Sequence, residues 1–218
     1  MSACLPDIEA FILIGGRSSR FGSDKAFAAF GNETLVARAV RTVNQALSPL
    51  QTNLVVSRDE QLTSQSLESL GCSIVADRRP GLGAWSGIDA ALAHARTNWV
   101  LVLACDLPLI SAEFLQLLAG RANGNVDAVV PRQPDGRLQP LCAIYRLATA
   151  KELLKIFLED ASSLPPVGAM FEKMRTCVVA AEEYGGLANA ETLFSNINTP
   201  ADLTAAKELE YHQSSDKI

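Results

Sequence analysis

The chain has 218 residues, of which 48% are apolar, and a formal charge of −5. That length buries a full core without disulfide or metal staples and suits one α/β domain spanning 1–218. The acidic balance argues against a general nucleic-acid surface and leaves a local anion site as the alternative.

The first apolar run, Ala10 to Ile14, reads as a buried strand that stops at Gly15 and Gly16. A loop with Arg17, Arg20, Asp24 and Lys25 follows it. Leu35, Val36, Ala39, Val40, Val43 and Leu47 then recur at helical spacing. Strand-length runs at 53–57 and 73–76 flank a polar helix expected from about Glu60 to Leu70. The segment 87–95 is helical in pattern, and 99–105, "WVLVLAC", is the most apolar strand of all. Continuous apolar strands between helices imply a mostly parallel sheet covered on both faces. The second half is less regular. It offers strands at 127–131 and 140–145, a turn at Asp135-Gly136, an amphipathic helix over 148–161 and the breaker "SSLPP". A last helix starts at Thr199 as N-cap, with Pro200 in its first position and Asp202 reaching back. Residues from about 211 to 218 read as a frayed tail. The expected architecture is a three-layer α/β/α fold with a mostly parallel, mixed central sheet.

Five cysteines (Cys4, Cys72, Cys105, Cys142, Cys177) form no CxxC pair and read as reduced thiols of a cytoplasmic protein. No basic segment precedes the short first apolar run, so a signal peptide is not expected, nor is a membrane span. His94 and His212 are the only histidines. His94 sits in a helical run and His212 in the tail, which argues against a histidine triad or a zinc site.

A strand that ends in two glycines puts main-chain N–H groups at the carboxyl edge of a parallel sheet, where open α/β sheets bind ligands. Glycine lets the chain approach a phosphate closely, and Arg20 and Lys25 add full charges. The set suits a triphosphate. It is not a Walker A loop, because the interval from Gly16 to Gly22 is too long and Ser23-Asp24 precede Lys25. Neither the dinucleotide fingerprint nor a G-x-S-x-G elbow is present there. "GLGAWSG", 81–87, is separated from its strand by "DRRP" and does not have the fingerprint's spacing. Asp106 directly follows the most apolar strand; such a carboxylate either caps the turn before Pro108 or holds a Mg²⁺ ion.

The order of these segments is more specific than any one of them. "LIGGRSSRFGSDKA" resembles the signature of the molybdenum cofactor guanylyltransferase family, nucleotidyltransferases of the Rossmann-like glycosyltransferase-A type. "DRRPGLGAWSGI", "ACDLPLI", "GRLQPLCAIYR" and "NINTPADL" match later family segments in the same order. The resemblance implies transfer of GMP from Mg-GTP to the phosphate of molybdopterin, with release of pyrophosphate. It implies that Arg20, Lys25 and Asp106 are catalytic and that Leu13, Ile14, Gly15, Gly16, Lys25, Ser57, Asp77, Gly87 and Asp106 bind the nucleotide. Asp106 would hold Mg²⁺, and Asn198 is either a second ligand or a turn residue. Apo-molybdoenzymes would be transient partners. For Asp77 the other reading is a salt bridge to Arg78 or Arg79, and for Gly87 it is close helix–sheet packing. Ile14, Ser57 and Trp85 depart from the family pattern near the expected base site, and Trp85 either stacks on a base or fills the core. The alternatives are a related transferase that uses CTP or a sugar or polyol phosphate acceptor, and a non-catalytic nucleotide-binding homologue.

Overall fold

The computed structural model describes residues 5–14, 25–49, 51–56, 67, 69–79, 81–159 and 163–215. The expected helix from Glu60 to Leu70 lies largely outside them. The elements in chain order are β1 (Ile8–Leu13), β2 (Ala29–Phe30), β3 (Glu33–Thr34), α1 (Leu35–Leu47), β4 (Thr52–Val56), β5 (Ser73–Ala76), α2 (Ala84–His94), β6 (Trp99–Ala104), α3 (Ala112–Arg121), β7 (Ala128–Pro131), β8 (Cys142–Arg146), α4 (Leu147–Glu159), β9 (Thr176–Val179), α5 (Ala181–Tyr184) and α6 (Pro200–Ser215).

Among the described residues seven strands form one sheet in the order β5-β4-β1-β6-β8-β7-β9. β8 runs antiparallel to both neighbours, and every other pairing in the sheet is parallel. All six residues of β1 and all six of β6 are buried, which is why β6, and β1 from Ala10 onward, read as unbroken apolar runs. Their side chains alternate between two cores. Ile8, Ala10, Ile12 and Ile14 pack on the side of α1 and α3, and Phe11 and Leu13 pack on the side of α2 and α4. The sheet with its two covering layers is the three-layer architecture that the sequence implies.

The helix starts are chemically explicit. Thr34 accepts the Ala37 N–H at 3.3 Å to cap α1, and Ser111 accepts the Phe114 N–H at 3.1 Å to cap α3. At α6, Asp202 Oδ2 accepts the N–H groups of Asn198 and Thr199, both at 2.8 Å, while the Asp202 N–H donates to Thr199 Oγ1. Leu203, Ala206 and Leu209 of α6 pack with Phe30, Leu35, Leu109 and Ile197. A helix capped at one end and anchored as far as residue 209 propagates on, so its backbone is helical to Ser215 instead of fraying from about 211. Two features carry no periodic signal in the sequence. The β2–β3 hairpin has strands of two residues, and β9 is a half-buried edge strand. None of the described cysteines is bridged in a disulfide, and Cys105 and Cys142 are buried. No described helix is long and apolar enough to cross a membrane.

The far side of the sheet is tied by Asp127, which is buried at the start of β7. Its carboxylate accepts two bonds from Arg175, at 2.7 and 2.9 Å, and lies 3.3 Å from Arg146 Nε and from Thr149 Oγ1. The Arg175 guanidinium holds the carboxyl at about 2, below its usual value. A lowered acid constant stabilises the fold fully above the unfolded value and loses that contribution as pH falls through the folded one. We expect Asp127→Asn to destabilise the chain at neutral pH. It should also flatten the decline in stability between about pH 4 and about pH 2; urea unfolding across that interval is the check.

Candidate active site

The parallel register sets Leu13 of β1 opposite Ala104 of β6, so the two strands end level. One residue on, the Cys105 N–H donates to the Leu13 carbonyl at 3.1 Å, and Ile14 N–H donates to Val55 of β4 at 3.0 Å. Asp106 therefore stands at the carboxyl edge, beside the end of β1. Its own carbonyl accepts the Ile197 N–H at 3.0 Å, which fastens the segment before α6 to this edge and brings Asn198 alongside.

Lys25 reaches the same point from a 3-10 turn, Lys25–Phe27, whose Ala26 is buried in the α1-side core. The Lys25 ammonium donates to Asp106 Oδ2 at 2.8 Å and to Asn198 Oδ1 at 3.5 Å. Both members of the ion pair are about four-fifths buried, with side-chain exposures of 19% and 23%. Three residues from distant parts of the chain thus share one cluster. The capping carboxylate of α6 adds to it: the Asn198 N–H, then Thr199, and the nearby charge of Lys25 hold Asp202 below the usual carboxylate range.

A residue that the sequence reading passed over braces this edge. Arg38 of α1 donates from Nε to the Pro108 carbonyl at 2.5 Å and pairs with Glu210 of α6 at 2.6 Å. Its guanidinium also lies over the Phe30 ring, 4.8 Å from the centroid. It joins α1, α6 and the loop after Asp106. The one hint in the sequence is a cation set between Ala37 and Ala39, which does not reveal its partners.

The other expected residues fall into place unevenly. Asp77 is buried after β5. Its Oδ1 accepts the Arg79 N–H at 2.8 Å and the Ser86 hydroxyl at 2.6 Å, which folds the loop back onto the start of α2. The anticipated alternative, a side-chain salt bridge from Asp77 to Arg78 or Arg79, is not formed; Arg79 pairs with Asp89 instead, at 3.3 Å. Gly87 lies so close to β1 that a Cβ would meet Leu13 Cδ1 at 2.9 Å, so its lack of a side chain lets the helix pack closely on the sheet. Leu13 and Ile14 bury their side chains in opposite cores, which leaves only their main chain to face a ligand. Trp85 is buried, donates from Nε1 to the Pro165 carbonyl at 2.8 Å and packs on Phe157 at 5.2 Å; it fills the core. Gly15, Gly16, Arg17, Arg20, Asp24 and Ser57 lie outside the described residues.

Residues 10–169 match the model of the MobA-like NTP transferase domain. The chain belongs to this family. It is 31% identical over 212 residues, covering 95% of both chains, to a probable molybdenum cofactor guanylyltransferase of Pelotomaculum thermopropionicum. It is 30% identical over 190 residues, covering 87% of this chain and 92% of the other, to a protein of the same description from Geobacillus sp. strain WCH70. Among solved structures, molybdopterin-guanine dinucleotide biosynthesis protein A of Archaeoglobus fulgidus superposes with a TM-score of 0.72 at 28% identity, covering 94% of this chain and 99% of that one. A nucleotidyl transferase of Methanothermobacter, at 17% identity and a TM-score of 0.72, shares the fold.

MobA-like transferases are nucleotidyltransferases, and NTP transferases generally use a divalent metal. The donors at the edge of this MobA-like sheet suit one. Asp106 offers a carboxylate and Asn198 a carbonyl, both hard oxygens, and magnesium takes few protein ligands because water and phosphate oxygens fill the rest of its shell. Among the described residues no group of three or more histidine, cysteine or acidic side chains gathers to make a denser metal cage. The geometry of this edge depends on Arg38. Arg38→Ala should cost about 1–3 kcal/mol, because it leaves the Pro108 carbonyl without its donor and removes one ion pair from Glu210. Thermal melts check the size, and a loss below a few tenths of a kcal/mol would show that the brace is idle.

Proposed function

We propose that the chain transfers GMP from Mg-GTP to the terminal phosphate of molybdopterin, releasing pyrophosphate and forming the guanine dinucleotide cofactor. The observation that carries this reading is the meeting of Lys25, Asp106 and Asn198 at the carboxyl edge of the sheet. The names of the 30–31% identical relatives support the choice of base and acceptor. In this reading 1–218 acts as one nucleotidyltransferase domain.

Asp106 and Asn198 hold Mg²⁺, which when bound neutralises charge on the phosphates. Lys25 and Arg20 meet the polyphosphate, and the main chain of Gly15 and Gly16 cradles it. Leu13, Ile14, Ser57, Asp77 and Gly87 border the nucleoside. The acceptor phosphate is already ionised at neutral pH, so no side chain has to remove a proton, which agrees with the lack of a histidine in the described cluster. An acceptor oxygen attacks the α-phosphorus, the bond to the α,β-bridging oxygen breaks, and pyrophosphate leaves with the electron pair. The chain's task is to bring two anions together and to stabilise the charge that develops.

Pyrophosphate release measured with GTP, CTP and ATP, each against molybdopterin and against sugar and polyol phosphates, tests the reading. GTP with molybdopterin should turn over fastest; a preference for another pair would replace it. Lys25→Ala and Asp106→Ala should each lower turnover by more than about a hundredfold, the scale of losing one electrostatic stabiliser. Near-normal turnover in either variant would remove that residue from the site.

A further inference from the structure

The Lys25 ammonium contacts a side-chain oxygen of each of the two residues to which the proposed function gives the metal. It is 2.8 Å from Asp106 Oδ2 and 3.5 Å from Asn198 Oδ1. A magnesium ion holds its oxygen ligands at about 2.1 Å, so a metal drawing on the same two oxygens would stand within touching distance of the ammonium. Two cations cannot share that space in a partly buried site, where their repulsion is only weakly screened. We propose that Lys25 is a place-holding cation. It neutralises Asp106 until a polyphosphate draws it away, so the divalent metal enters with the nucleotide and not ahead of it. The inference rests on the functional reading above and adds an order of binding to it.

The choice of side chain suits this role. A lysine carries a compact charge with three donors on a four-carbon stem, so it can exchange a carboxylate for a phosphate by turning its side chain. Its backbone need not move, because Ala26 is fixed in the core and the Lys25 carbonyl accepts the Ala28 N–H at 3.0 Å. An arginine would grip the carboxylate with two parallel bonds and release it less readily.

The test is manganese binding to the full chain without nucleotide, followed by electron paramagnetic resonance. Wild type should bind weakly, and Lys25→Met should bind at least about tenfold more tightly, within the usual range of coupling between two sites. The double variant Lys25→Met, Asp106→Asn should lose that gain. Simple removal of a positive charge is distinguished by crystals of the wild type soaked in two ways, an experiment that needs no variant to fold. With manganese alone there should be no anomalous peak at Asp106. With manganese and α,β-methylene-GTP there should be a peak at Asp106, with the Lys25 ammonium moved onto the phosphates. A peak at Asp106 with manganese alone and Lys25 still in place, or equal affinity in wild type and Lys25→Met, would overturn the place-holder while leaving the transferase reading intact. No peak at Asp106 in either soak would overturn the metal assignment and the place-holder with it.

Discussion

A carboxylate at the mouth of a fully buried strand must find compensation, and the site is organised around how Asp106 does so. Its side chain is charged and four-fifths covered, a position that is costly unless a cation or several donors accompany it. Lys25 meets that need from one direction. The backbone of the same residue, by accepting the Ile197 N–H, recruits the segment that carries Asn198 from another. Everything else at this edge sets the position of those groups. The level ends of β1 and β6 place the carboxylate, the buried Ala26 places the ammonium, and the reciprocal cap at Thr199 and Asp202 fixes the backbone of Asn198.

The support behind the edge is layered in the same way. Arg38 ties the loop after Asp106 to α6 and to the hairpin aromatic Phe30, so the front of the site is fastened to the last helix. On the opposite face, α2 sits against the last residue of β1 because Gly87 has no side chain to hold it off. Asp77 folds the intervening loop onto the start of that helix through Arg79 N–H and the Ser86 hydroxyl. The carboxyl edge is therefore backed by two independently packed cores, each reaching the end of β1 from its own side.

How much of this can be read from the sequence follows from the range of each interaction. The parallel strands are legible because burial on both faces leaves unbroken apolar runs such as 99–105. The start of α6 is legible because Thr199, Pro200 and Asp202 satisfy one another within four residues. Asp106 stands out because a charge abruptly ends the most apolar strand. The short hairpin and β9 are not legible, since two-residue strands and a half-buried edge have no period to detect. The meeting of Lys25, Asp106 and Asn198 is a tertiary fact: only the ordered resemblance to a family anticipates that they act together, and nothing in it anticipates direct contact between the ammonium and the carboxylate. Arg38 and Ser86 escape notice for the same reason. Their chemistry is ordinary, and their partners are far away or become partners only when a loop closes.

The separation of the cluster along the chain has a consequence for how the enzyme is made. Lys25 and Asp106 are 81 residues apart, and Asn198 is 173 residues from Lys25. A ribosome adds about 5–20 residues per second, so roughly 5 to 18 seconds pass between the synthesis of the aspartate and that of the asparagine. For that interval the growing polypeptide carries both charged residues of the pair and lacks the asparagine that completes the cluster. The three groups can therefore meet only after the stretch before α6 has been made and its Ile197 N–H has docked on the aspartate carbonyl.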